Sequence, residues 1–147
     1  MIEIDSDESL EMNDVDRVMS NMQSQNKKIL YDFEEYLKNA GLTSKTISKH
    51  LDNIEFFINH YLLYDEFVSP DKGYDRLNDF FSYFFPRKAM WSSANSVKEN
   101  ITSLKKFYKY LQELSFITNA NLKEMHSIIK EEKEYWLSLY SDESEIY

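Results

Sequence analysis

Cysteine is missing from the 147 residues, which excludes disulfides, thiolate metal sites and cysteine nucleophiles at once and fits an intracellular, cytoplasmic protein. Glycine and proline are nearly missing too: only Gly41, Gly73, Pro70 and Pro86 are present. Such a chain has few of the residues that build hairpins or phosphate-cradling loops, so long helices are favoured. No apolar run approaches the roughly 18–20 residues of a membrane span, and the amino terminus is acidic where a signal peptide would be basic and then apolar. No membrane partner is expected. At 17.7 kDa the chain has the size of one domain able to bury a core without metal or disulfide staples.

What is abundant is aromatic and acidic. Eleven Tyr, ten Phe and two Trp accompany a formal charge of −9. The charge is uneven. Residues 1–25 carry −6, residues 26–113 carry +1 and residues 114–147 carry −4, so a nearly neutral middle retains room for a basic face.

Apolar periodicity predicts an all-α bundle of four core helices, a C-terminal helix and a short N-terminal one. The first dozen residues read as disordered and acidic. Met12, Val15, Met19 and Met22 then mark the short helix, with Asn13 as a cap. The first core helix spans 26–40, with Ile29, Phe33, Tyr36 and Leu37 inward and Gly41 as its left-handed stop. Thr43 or Ser44 caps a second, whose buried face is Ile47, Leu51, Ile54, Ile58, Tyr61 and Leu62. Ser69-Pro70-Asp71 opens a third, rich in Phe, which Pro86 should end. Ser92 or Ser93 caps a fourth, with Val97, Ile101, Leu104, Tyr108 and Leu111 on one stripe. The last runs from about Asn121 to Tyr140, burying Leu122, Met125, Ile129, Trp136 and Leu139. These elements divide the chain into an acidic segment at 1–25, a helical domain at 26–120 and a C-terminal helix with acidic tail at 121–147.

The stretch FEEYLKNAGLTSKTISKHLDNIEFFINHYL, residues 33–62, is similar to the opening of the tyrosine recombinase core-binding domain, also called the phage integrase SAM-like domain. That family has an aromatic-x-x-Tyr-Leu helix, a Gly-Leu-Ser/Thr turn, Ser/Thr-x-x-Thr-Ile and a long helix ending near Phe and Tyr-Leu. SSANSVKENITSLKKFYKYLQELSFITNAN, residues 92–121, resembles its second helix pair. Ala120 stands where the family usually has proline before the linker to the catalytic domain. The resemblance implies a compact bundle that clamps one side of double-stranded DNA, with its second and fourth helices near the major groove, and a role in DNA recombination or integration.

The local chemistry matches that expectation. On the second helix Lys45, Lys49 and Asn53 share a face opposite the apolar stripe, and on the fourth Lys98, Thr102, Lys105 and Lys109 do, with Lys106 on the shoulder. Lysine charge and free amides at Ser/Thr-rich helix starts both attract phosphate. Thr46 and Asn95 join as base or phosphate contacts, and Arg87 and Lys88, beside Trp91, as loop charges. The plain alternative is an ordinary solvated face.

Catalysis is not expected. The recombinase family's His-x-x-Arg element is missing, since Asn53, Leu63 and Ile129 stand three positions after His50, His60 and His126. No metal-ligand spacing, phosphate loop or cofactor motif appears. His50 and His60 read as surface or partly packed residues. A noncatalytic DNA-binding protein is therefore the leading expectation, and a helical interaction module that binds a second copy or a recombinase is the alternative. A third possibility has the acidic ends folding back over the basic face.

Overall fold

The computed structural model describes residues 2–140, with side chains described from Asn13 onward. It is all-α, with no strand among the described residues. Helix α1 spans Ile2–Asn39. Helix α2, Ser44–Glu55, continues directly into a π-helical stretch at Phe56–Tyr61. A 3₁₀ turn at Pro70–Lys72 leads to α3, residues 77–88, an α-helix whose middle, Phe80–Phe84, is π-helical. Helices α4, Ala94–Glu113, and α5, Asn119–Ser138, complete the bundle.

Two expected breaks are missing. The anticipated irregular start, short helix and first core helix form one unbroken α1, because no glycine or proline interrupts residues 2–40. No helix break falls at residue 25. Pro86 does not end α3 either. Proline clashes with the carbonyl four residues back, and the π-helical turn just ahead of it, where the Phe85 amide donates to the Phe80 carbonyl, widens the backbone to take the ring.

The turn signals hold where chemistry dictates them. Gly41 has φ +84° and closes α1. The Thr43 hydroxyl accepts from the Thr46 amide at 3.3 Å, and Ser93 and Thr118 each form a reciprocal capping box, with Ser96 and Asn121 respectively. The last helix therefore begins at Asn119.

The core sits where α2, α3, α4 and α5 converge. Phe57, Phe80, Phe81, Phe85, Phe107, Tyr108 and Trp136 are fully or almost fully buried. Phe80 meets Phe57 edge-on at 4.9 Å and Phe81 at 4.8 Å. Trp136 brings α5 into this cluster by packing on Phe81 at 4.7 Å, so residues 121–140 share the core of 26–120. Leu139, expected inward, is exposed because the helix ends one residue before it. Residues 141–147, read as an acidic tail, lie outside the described residues.

Helix α1 enters the body at Asn26, whose side-chain amide donates to the Asn59 carboxamide oxygen at 2.8 Å and the Ile58 carbonyl at 3.3 Å. A π-helical stretch leaves backbone carbonyls less regularly paired, and Asn26 is buried against one of them. Beyond it Phe33 and Leu37 are buried and Ile29 and Tyr36 partly so.

Candidate nucleic-acid interface

Helices α2 and α4 pack side by side, and the polar atoms at their junction come from residues that interrupt apolar stripes. His50 follows Ile47 on α2, and Ser103 stands between Asn100 and Phe107 on α4. Both are buried, with His50 Nδ1 2.7 Å from Ser103 Oγ. Asn53 donates its side-chain N–H to the same hydroxyl at 3.0 Å. Three polar groups thus satisfy one another where an unpaired one would be costly.

His50, expected at the surface or partly packed, is a buried clamp. Asn53 helps to hold α4 through Ser103 while also lining the groove described below. Polar residues on apolar stripes were the signal for the pair, but only their facing across two helices reveals it. Both groups of the Ser–His contact are buried, and neither lines any of the clefts described below.

Burial, and then the nearby Lys106 charge, hold the His50 ring below its ordinary value of 6.5. The unfolded chain therefore takes up this proton first as pH falls through about 6.5, and stability is lost from there until the folded ring also protonates. His126, lowered by burial and Lys105, acts in the same direction. Denaturant midpoints at pH 7.5 and 5.5 should differ less in His50→Gln than in the parent chain; equal differences would show that His50 carries no part of the acid sensitivity.

The α2–α4 clamp leaves the lysines outside. Lys45, Lys49, Lys98, Lys105, Lys106 and Lys109 are all exposed, and none pairs with an acid among the described residues. Lys49 borders a shallow groove of about 320 Å³ between the two helices, with Asn53, Asn100 and the half-exposed Trp91. Asp52 and Glu99 line it too, so the basic face is broken along the seam. Lys105, Lys106 and Lys109 gather further along α4 around a second depression.

The smaller polar candidates are occupied locally. Thr46 is exposed but accepts a hydrogen bond from the Thr43 hydroxyl at 3.0 Å, Asn95 donates to the Glu99 carboxylate at 2.7 Å, and Thr102 donates back to the Lys98 carbonyl at 3.1 Å. These bonds lie on the surface, where exchange for a ligand or water costs little.

Arg87 and Lys88 stand apart from this face. They close the end of α3 and line a different cleft, of about 460 Å³, with Arg76, Asp65, Glu66 and Asp79. Arg87 lies 4.0 Å over the Tyr83 ring and donates to the Tyr83 carbonyl, while Lys88 lies 5.0 Å over Tyr64. Spacing along the chain does not show this cleft, because Tyr64 and Tyr83 lie on separate elements. Tyr61, at its inner wall, donates to Asp79 at 2.7 Å; burial and that carboxylate keep its hydroxyl protonated far above the usual range.

Among the described residues, no helix is long and apolar enough to cross a membrane, and no three His, Asp or Glu side chains gather as a metal site. The fold and surface define the class plainly: an all-α bundle with a lysine-bearing face on two adjacent helices. Comparison of the chain with protein-family models, with curated proteins and with solved structures finds no match.

Proposed function

We propose that the chain is a noncatalytic duplex-DNA-binding domain that grips the phosphate backbone with the outer faces of α2 and α4. The observation that carries this reading is the set of six exposed lysines on two helices locked together through Ser103, none of them neutralised by an acid in the described part of its own chain. Unpaired lysine charge is free to displace the cations condensed on DNA, and that release is the main source of sequence-independent affinity. Two capped helix starts, at Thr43 and Ser93, add oriented backbone amides. The resemblance of residues 33–62 and 92–121 to the core-binding domain of tyrosine recombinases supports the same reading and extends it to recombination or integration.

The contacts divide by chemistry. Lys45, Lys49, Lys98, Lys105 and Lys109 hold phosphates, which position but do not specify. Thr46 and Asn95, whose present bonds are local and exposed, serve a phosphate or base edge; Asn53 holds the helices together. Arg87 and Lys88 line their own cleft and are left out of the grip.

Fluorescence anisotropy with random duplex DNA at low and raised salt tests the proposal. If these five lysines each neutralise a phosphate, the logarithm of affinity falls against the logarithm of salt with a slope of about −4.5. The combined variant Lys45→Glu, Lys49→Glu, Lys98→Glu and Lys105→Glu should lose about tenfold or more in affinity. Undiminished binding by that variant, or no binding by the parent at low salt, would end the proposal.

A further inference from the structure

Among the described side chains, those of α1 ahead of Asn26 have no buried seat in their own chain. Asn26 is the first buried residue of α1 among those with described side chains; ahead of it Val15 and Val18 are 54 % and 43 % exposed, and Met19 and Met22 are only partly covered. On a helix these four share the face that further along buries Phe33 and Leu37. The apolar stripe is continuous, while the surface that covers it stops. This arm is also the most acidic part of the chain, with −6 over residues 1–25 and Asp14 and Asp16 on either side of Val15.

The body carries a complementary surface. Tyr36, Leu37 and Leu42 floor a shallow, largely apolar depression of about 330 Å³, and Lys105, Lys106 and Lys109 border it. Their charges have no acid partner among the described residues, although Glu113 stands beside the Tyr36 hydroxyl. The arm cannot reach this depression in its own chain. Unbroken helix separates Val15 from Leu37 by 22 residues, which at 1.5 Å per residue is about 33 Å. Folding the acidic start back over the basic face would require breaking α1.

We propose that the arm of one copy docks in the lysine-bordered depression of a second copy and receives that copy's arm in return, closing a two-fold dimer. Reciprocal exchange satisfies both arms and leaves no open end to propagate. Val15 and Val18 meet the apolar floor, and Asp14 and Asp16 meet the lysines. The docked arm covers Lys105, Lys106 and Lys109, so duplex DNA and a second copy compete for these lysines while Lys45, Lys49 and Lys98 stay open; the association itself does not depend on the DNA-binding reading.

Sedimentation velocity of the full chain without DNA, from about 1 to 100 µM at low salt, tests the dimer. The parent chain should pass from monomer to dimer, and Val15→Asp with Val18→Asp should weaken association by about tenfold or more. So should Lys105→Glu with Lys106→Glu and Lys109→Glu. Mixing this groove variant with an arm variant, Asp14→Lys with Asp16→Lys, should restore association between the two. All these positions are exposed, and an unchanged circular-dichroism melt confirms that each variant stays folded. A parent chain that is monomeric throughout overturns the proposal. So does a dimer that the arm substitutions weaken and the lysine substitutions leave intact, since the arms would then pair with each other; so does failure of the mixed variants to associate.

Discussion

Trp136→Ala should lower the stability of the chain by about 3–5 kcal/mol and release α5 from the body. The indole is wholly buried, packs at a tilt on Phe81 at 4.7 Å and donates its N–H to the Asn78 side-chain oxygen at 2.9 Å. It is the last buried side chain on α5 and ties that helix to α3. Truncation removes the ring, opens a cavity beneath the aromatic cluster and leaves Asn78 without its partner. Because Asn78 is exposed, water takes over that bond, and most of the cost falls on packing. Urea denaturation measures the loss. Trp136→Phe should recover much of it, since the ring contact returns and only the surface hydrogen bond is missing. A Trp136→Ala variant within 1 kcal/mol of the parent would mean that α5 is held by Leu122, Met125 and Ile129 alone.

Gly73→Ala should cost about 2–3 kcal/mol, although the backbone there is ordinary, with φ −95°. The reason is space. An added Cβ would lie 2.8 Å from Leu62 Cδ1 and 2.8 Å from the Tyr108 hydroxyl, both closer than real contacts allow. Tyr108 has little freedom to retreat, because it is fully buried and its hydroxyl donates to the Pro70 carbonyl at 2.7 Å. One methyl group therefore pushes on the bond that fastens the Pro70–Lys72 turn to α4. Gly41→Ala makes a useful contrast: nothing lies within 4 Å of its added Cβ, and its cost comes from the left-handed φ of +84° alone. Thermal melts of the two variants should show Gly73→Ala as the less stable. The reverse order would show that Leu62 and Tyr108 yield more easily than the backbone at Gly41.

These residues show how much was legible beforehand. The inward stripes of α2 and α4 follow from spacing, because a residue's place on an amphipathic helix depends only on its neighbours three and four positions away. Ile47, Ile54, Val97, Ile101 and Leu104 are buried as their spacing predicts. The stops and caps at Gly41, Thr43 and Ser93 are local for the same reason. Pro86 lies inside α3 against its usual helix-ending effect, because that effect depends on the backbone before it, and the π-helical turn at Phe80–Phe84 is not written in any local motif. The candidate interface divides similarly. That the lysines of α2 and α4 face outward could be read from helical period, whereas the diversion of Asn53 to Ser103, fifty residues away, could not.

The sequence by itself determined an all-α chain, the inward face of each helix, the acid concentrated at the two ends and the outward lysines of α2 and α4, since composition and short-range periodicity act within a few residues. Only the tertiary structure decided that α1 continues past the body as an arm, that His50 and Asn53 clamp α4 and that Arg87 and Lys88 belong to a separate cleft. It also set apart Gly73, where an added methyl group has no room. Each of these depends on what residues distant in the chain place opposite one another, and spacing along a single helix carries no information about that.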